Sequence, residues 1–346
     1  MATPDVTILG AGIFGLSIGW ECARRGARVR LIDPRGAGGG ASGGVVGALA
    51  PHTPERWNAK KEFQLQSLLI AGAFWAGVEE ASGLTSGYGR TGRLQPVAHG
   101  RALDLARERA QQAAGLWRGE AEWRVRPATD FGPWAPHSPS GWLIHDTLSA
   151  RIDPHRACLS LAGALAARGA GIAAEGRPEG AVIHATGYEG LETLSRELGR
   201  PVGAGVKGQA ALLRFDAREQ PQLYAEALHV VPHDNGTVAI GSTTEREFTR
   251  PDTTDEQVEE LIRRATAAVP LLAEAPVLAT WAGVRPRARS RAPMLGPYPG
   301  RPGEFIANGG FKIGFGMAPK VAQVMADLVL EGRDAIPDAF RVEASL

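Results

Sequence analysis

The sequence predicts an α/β protein, with a second domain of α+β type and antiparallel sheet inserted into the first. Three observations carry this. A glycine-rich turn joins a short apolar strand to a helix at the start of the chain. Further strand–turn–helix units fall near residues 150–190 and at the end. The stretches between them are richer in hairpin signals. The first domain is expected to comprise residues 1–83, 147–200 and 286–346, and the inserted one residues 84–146 and 201–285. At 346 residues the chain is long enough for both cores.

The first strand is Val6-Thr7-Ile8-Leu9, and Gly10-Ala11-Gly12-Ile13-Phe14-Gly15 follows as G-x-G-x-x-G. A helical segment ends near Arg25, with Gly26 just past it. The run Arg28-Val29-Arg30-Leu31-Ile32-Asp33 then reads as a second buried strand ending on an acid. Strand, turn, helix, strand and acid in this order are what a Rossmann-like dinucleotide site needs. Gly10 permits the tight turn, Gly12 lets the backbone approach a pyrophosphate, and Gly15 brings the helix close to the sheet. The helix N-terminus offers unpaired N–H groups to phosphates. Asp33 can accept hydrogen bonds from a ribose hydroxyl. Gly15, Gly19 and Ala23 form a small-residue stripe for helix–sheet packing.

Residues 34–44 are glycine-dense and lead into Val45-Val46-Gly47-Ala48-Leu49-Ala50-Pro51, which should be buried. Such a backbone entering a core straight after the acid points to close approach to a ligand. Residues 58–80 read as a helix, 93–97 as a short strand and 101–114 as a charged helix. Residues 117–142 hold four of the eight tryptophans and four prolines. They read as an irregular segment, either a wall of the inserted domain or a loop pinned by aromatics. Asp153 and Pro154 suit the N-cap and first turn of a helix with Cys158, Leu161 and Leu165 on its apolar face and Gly169 at its end. Residues 171–174 form a strand. Another runs through His184 into the small-residue turn Ala185-Thr186-Gly187. His184 is read as a satisfied core histidine, since no second histidine stands at metal spacing.

Residues 206–215 make a long strand. Val230-Val231-Pro232 and residues 237–241 form a hairpin about Asp234-Asn235-Gly236. Thr253 and Glu256 suggest a capping box for a helix carrying Val258, Leu261, Ile262, Ala265 and Val269, stopped by Pro270. Residues 277–281 form a strand. Arg285, Arg287, Arg289 and Arg291 alternate after it, as on a solvated edge with at least one arginine turned inward. Phe305-Ile306-Ala307-Asn308 is the last buried strand. It meets a second glycine-rich turn at residues 309–316, before a helix that starts near Met317.

Lys plus Arg number 38 and Asp plus Glu 37, so no charge excess draws the chain to nucleic acid. Cys22 and Cys158 both fall in expected helices, which argues against a disulfide framework and makes a reducing compartment the default. The first strand begins too early to leave room for a signal peptide, and no uncharged run reaches the ~18–20 apolar residues of a membrane span. A cytoplasmic protein without a metal site is expected. A homo-oligomer is left open.

In these motifs the chain resembles the D-amino-acid-oxidase-like family of FAD-dependent oxidoreductases, which includes glycine oxidase and sarcosine oxidase. The resemblance rests on Gly10 to Gly15 with Asp33, Ala41-Ser42-Gly43, Ile152-Asp153-Pro154, Ala185-Thr186-Gly187, Val206-Lys207-Gly208-Gln209, Gly283-Val284-Arg285-Pro286 and the closing turn. The glycine oxidases share the Val-Lys-Gly-Gln strand and the run from Val230 to Glu245. The resemblance implies non-covalent FAD, since neither cysteine lies near a flavin-attachment motif. It implies a cofactor site lined by Gly10, Gly12, Ile13, Phe14, Gly15, Asp33, Pro34, Ala41, Ser42, Gly47, Ala48, Leu49, Ala185, Thr186 and Gly187. Gly310, Phe311, Ile313, Gly314, Phe315 and Gly316 should pass near the flavin ring. Arg285 matches an arginine that grips the substrate carboxylate, a task suited to a planar fork. Lys312 stands where glycine oxidase has a second arginine, and His229 where relatives often place a tyrosine. The segment between Gly171 and Ala181 is short, whereas relatives usually carry extra strands there, so the usual adenine-side contact is not assignable.

The implied activity is oxidation of the C–N bond of a small amino or imino acid. Hydride would pass to flavin N5, the resulting imine would hydrolyse in water, and peroxide would form if oxygen is the acceptor. Lys207 would favour the anionic reduced flavin or superoxide if it faces the ring, and is otherwise a solvated strand lysine. The alternatives are an amine on a larger molecule, such as an opine or a modified tRNA base, and a flavin-binding subunit without turnover.

Overall fold

The structure, a computed structural model, describes residues 3–346. A six-stranded sheet runs in the order Met294–Pro297, Glu304–Asn308, Ala181–His184, Val6–Leu9, Val29–Ile32, Gly171–Ala173. All of its pairings are parallel except the first, which is antiparallel. Helix Ile13–Arg24 is almost entirely buried. It packs between this sheet and the helices Pro154–Ala166 and Gly314–Glu331. The small-residue stripe allows that closeness: a Cβ on Gly19 would already touch Ile8, Leu165 and Leu31.

The second sheet has eight strands, ordered Val277–Ala288, Gly203–Arg214, Thr237–Gly241, Leu228–Pro232, Gln222–Ala225, Arg93–Pro96, Trp142–Asp146, Trp123–Pro127. Only the pairing of Gln222–Ala225 with Arg93–Pro96 is parallel. Helix Glu256–Ala268 lies on it and completes a core with Leu213, Leu223, Val230, Ile240, Leu261 and Ala265. A two-stranded ribbon, Ala48–Leu49 with Ala150–Arg151, forms a third, small sheet.

The long helices obey their local signals. Asn58 caps Ala59–Ser82 by accepting from the Lys61 N–H at 3.1 Å, and Gly83 ends it in the left-handed region. Asp153 accepts from the Arg156 N–H at 3.1 Å ahead of Pro154–Ala166.

Several expectations need correction. Residues 117–142 are not merely irregular: they contain the edge strand Trp123–Pro127 and begin the strand Trp142–Asp146. Arg124 and Arg126 point to solvent between buried or half-buried neighbours, so a period-two pattern was present but only five residues long. The capping box at Thr253 does not form. The helix cap is Asp255, which accepts from the Gln257 N–H at 3.0 Å and is also gripped by Gln209 from the long strand, so a tertiary contact sets the start. The run after Trp281 is a continuation of the strand to Ala288, passing residue 285 without a break. Helix Gly187–Glu197 and the strands Gln222–Ala225 and Met294–Pro297 had no sequence signal strong enough to be foreseen. In 45–51, Gly47, Leu49 and Pro51 are buried, whereas Val45, Val46, Ala48 and Ala50 are only partly covered.

Candidate active site

The two glycine-rich turns and one end of the eight-stranded sheet enclose a single cavity of about 1080 Å³. Its floor is the turn after Val6–Leu9. Gly10 has φ +104°, and a Cβ there would stand 2.3 Å from the Ala185 carbonyl oxygen, so no side chain is tolerated. Helix Ile13–Arg24 begins with no cap from Gly12's own side and no acid in its first turn. Ser42 reaches across from the glycine-dense loop and accepts from the Ile13 N–H at 2.9 Å. Asp33, nearly buried, accepts from the Ala11 N–H at 2.8 Å and from the Arg35 N–H at 2.9 Å, which fixes its carboxylate beside the turn.

Gly10, Gly12, Ile13, Phe14, Asp33, Pro34, Ala41, Ser42, Gly47, Ala48, Ala185, Thr186, Gly187, Gly310, Phe311, Gly314 and Phe315 all line this cavity. The partly covered loop after Gly44 is thus its wall, which explains why Val46 and Ala48 are not fully buried. Four expected lining residues lie behind it. Gly15 packs on the turn, where a Cβ would come 2.0 Å from the Gly10 carbonyl oxygen. Leu49 is in the core beside Gly316, and Ile313 precedes helix Gly314–Glu331 as its N-cap and packs against the core. Their positions follow from alternation: each is next in sequence to a residue that does face the cavity.

At the sheet end of the cavity stands Arg285, 8% exposed. Its guanidinium lies over Gly208, where a Cβ would be 2.1 Å from both Nη atoms. Nη1 donates to the Thr243 carbonyl at 3.4 Å. Burial pulls its pKa down to about 10, with the Glu245 charge opposing. Lys312 lines the same cavity and donates to Thr244 Oγ1 at 2.8 Å. Burial and the Arg285 cation push it down to about 8. Among the described residues neither cation has a carboxylate within ion-pair distance. His229 also lines the cavity, its ring 4.8 Å from that of Tyr224. Burial, then the Arg93 and Lys312 charges, lower its pKa to about 3, so the imidazole is neutral at pH 7.

Lys207 is elsewhere. It projects from the other face of Gly203–Arg214, 3.4 Å from Glu245 and 3.7 Å from Asp255, and does not border the cavity. Strand alternation decides this, since Gly208 next to it faces Arg285. The expectation that Lys207 could act on a bound ring is corrected accordingly. His184 touches the cavity edge, with Nε2 2.6 Å from Glu304 Oε2 and its ring against Tyr298. Cys22 and Cys158 are buried free thiols outside the lining. Residues that sequence reasoning missed include Trp281, whose ring packs under Gly44, and Tyr224 on an unforeseen strand. Asn308 pins the second turn, donating to the Gly187 carbonyl at 2.8 Å. No group of three or more His, Cys, Asp or Glu that could hold a metal ion occurs among the described residues. Among them, no helix is long and apolar enough to cross a membrane.

The family model described as FAD dependent oxidoreductase matches residues 5–328. The chain belongs to this family. Glycine oxidase of Geobacillus kaustophilus (strain HTA426) is 26% identical over 358 residues, covering 94% of this chain and 92% of that protein. Glycine oxidase of Pseudomonas aeruginosa is 28% identical over 386 residues, covering 96% of each. The crystal structure of glycine oxidase from Geobacillus kaustophilus superposes with a TM-score of 0.85 over 98% of each chain, at 22% identity, which shows a shared fold. This FAD-dependent oxidoreductase therefore carries its cofactor in a fold that brings both glycine-rich turns to one cavity.

Proposed function

We propose that the enzyme oxidises the C–N bond of a small amino or imino acid, with Arg285 and Lys312 holding the substrate carboxylate. The observation that carries this is a buried guanidinium facing the cavity with no acid opposite it. A buried cation is normally paired, and a ligand carboxylate supplies the missing partner. Arg285 offers two parallel N–H bonds, and Lys312 adds a second positive charge at its side. The glycine oxidases of Geobacillus kaustophilus and Pseudomonas aeruginosa are relatives whose names specify an amino acid as substrate, in accord with this reading.

The cavity fits FAD. Its turn presents helix N–H groups without a competing acid, Asp33 stands beside that turn where it could accept from a ribose hydroxyl, and Gly10 keeps the backbone free of side-chain bulk. When bound, FAD would accept the hydride, with its electron pair, that leaves the substrate carbon. This chain's residues bind, orient and dry the site. Arg285 fixes the carboxylate, and so fixes the carbon beside it. His229, neutral, adds a polar atom without adding charge. Tyr224, Trp281 and Phe311 supply apolar wall. The substrate amine must be neutral for its lone pair to assist C–H cleavage, and no side chain is needed to take that proton if the neutral form binds. The imine product hydrolyses in water.

Anaerobic mixing with glycine, sarcosine, D-amino acids, proline and opines tests the reading, with loss of the yellow flavin absorbance as signal. Bleaching by at least one amine carrying a carboxylate is expected. If none of them bleaches the flavin, the proposal is lost. Admitting oxygen and assaying peroxide then distinguishes an oxidase from a dehydrogenase.

A further inference from the structure

In the six-stranded sheet, Val6–Leu9 lies between Val29–Ile32 and Ala181–His184. The nucleotide groove opens at its C-terminal end, so the segments that leave those two neighbours are its banks. One bank begins Asp33-Pro34-Arg35. The other begins Ala185-Thr186 and enters helix Gly187–Glu197, whose first turn carries Glu189. Arg35 and Glu189 meet across the strand between them. Nη1 donates to Oε1 at 2.9 Å and Nη2 to Oε2 at 3.0 Å. Two parallel bonds fix the plane of the guanidinium. Both side chains line the large cavity, and Arg35 Nε is 3.9 Å from the Asp33 carboxylate.

Residues 174–180, between the strands Gly171–Ala173 and Ala181–His184, do not reach the cavity. The bridge from bank to bank is therefore made by Arg35 and Glu189. Both are near half exposed, 45% and 46%. A pair so exposed adds little to folding. What it supplies is position, namely a flat cation tied across the open side of a groove, and arginine stacks well on aromatic faces.

We propose that the Arg35–Glu189 pair is a clasp over the adenosine half of FAD, standing in for the wall that residues 174–180 do not provide. The proposal rests on the FAD reading of the cavity. The clasp holds the adenine face against the Arg35 plane, and Glu189 keeps that plane in place. Arg35 alone, released from Glu189, would swing into solvent and lose most of the contact.

The test compares two flavins on the apo-protein, using quenching of flavin fluorescence and the rate of flavin release. FMN shares the isoalloxazine and one phosphate with FAD but lacks the adenosine. Arg35→Ala and Glu189→Gln should each weaken FAD about fivefold, the scale of one exposed charged pair, and leave FMN binding unchanged. FAD release from the natural protein should quicken as ionic strength rises, and release from Arg35→Ala should not. The exchange Arg35→Glu with Glu189→Arg should recover part of the loss seen in either reversal alone. Unchanged FAD release in both single variants overturns the clasp. Equal weakening of FMN and FAD also overturns it, since the contact would then lie on the flavin side. A natural protein that binds neither flavin removes the cofactor reading together with the clasp. Binding of FAD without bleaching by any amine leaves the clasp standing and defeats only the substrate proposal.

Discussion

Arg285 and Lys207 stand on paired strands, with Val206 opposite Arg285 and Lys207 opposite Val284. Both side chains are buried, at 8% and 3% exposed. They face opposite sides of the sheet and live in opposite electrostatic settings. Lys207 has two carboxylates. Glu245 lies 3.4 Å away and accepts from Gln209 as well, and Asp255 lies 3.7 Å away and accepts from Gln209 at 2.7 Å. Arg285 has one long bond to a backbone carbonyl, and the second cation Lys312 nearby. Glu245 attracts it from a distance, but its oxygens are already engaged with Lys207, Gln209 and Thr243. A cation with its charge matched inside the protein holds the fold together. A cation left unmatched at a cavity wall is, on the proposed function, the seat of an anion from outside.

The sharpest way to break that contrast is to remove each cation in turn. Lys207→Met takes the cation away from Glu245 and Asp255, and breaking such a pair costs up to about 3–5 kcal/mol. The denaturation midpoint should fall accordingly, while kcat/KM per folded molecule changes little. Arg285→Ala should do the reverse. Losing a charge-assisted partner of the substrate should cost about 2–5 kcal/mol in kcat/KM. The fold should be as stable or more so, because a desolvated and unpaired charge has gone. If Arg285→Ala unfolds the protein and Lys207→Met abolishes carboxylate binding, the assignment of the two faces is the wrong way round.

The sequence made one half of this contrast more legible than the other. Gly10 to Gly15 and Asp33 announce their structure, because chain turn, helix start and acid follow within some two dozen residues and need nothing distant. The inward turn of Arg285 was foreseeable as one of four alternating arginines, but which one faced the cavity was readable only through family resemblance. The Lys207 site was not readable. Its partners come from residues 245 and 255, in a loop and a helix cap that the sequence placed at Thr253 instead. Gln209 organises both acids by one amide, a contact spanning 46 residues to Asp255. Tyr224 escaped for a similar reason: its strand is four residues long and is defined by neighbours on both sides, not by its own alternation.

A smaller perturbation uses Gly208. A methyl group there would stand 2.1 Å from the Arg285 guanidinium, whose flexible end must shift aside. Backbone and core are untouched, so the denaturation midpoint should hold. A displaced anchor carries the substrate carbon with it, and misplacement by about 1 Å is able to cost about 10²-fold in rate. Gly208→Ala should therefore depress kcat/KM toward that extent with fold intact. Natural activity in this variant would mean the guanidinium has room that the geometry does not show, and would weaken the case that Arg285 sets the substrate position.

The mildest effect belongs to Lys312, whose charge is the more adjustable of the two. Burial and the neighbouring guanidinium bring it down to about 8. The anion-binding form is the protonated one, so a carboxylate should bind at full strength below about pH 8 and weaken as pH rises through that value. Arg285, near 10, stays charged over the same interval. Acetate is a suitable probe, read by its perturbation of the flavin absorbance, because it has no amine whose own titration would mix in. Lys312→Met should lose about 1 kcal/mol of acetate affinity at pH 7, the upper range for an exposed pair, and should lose the inflection near pH 8. Lys312→Arg should keep the affinity and also lose the inflection, since a guanidinium does not deprotonate there. An inflection that survives in both variants belongs to another group, and Lys312 would then be a bystander at the cavity mouth while Arg285 binds the carboxylate alone.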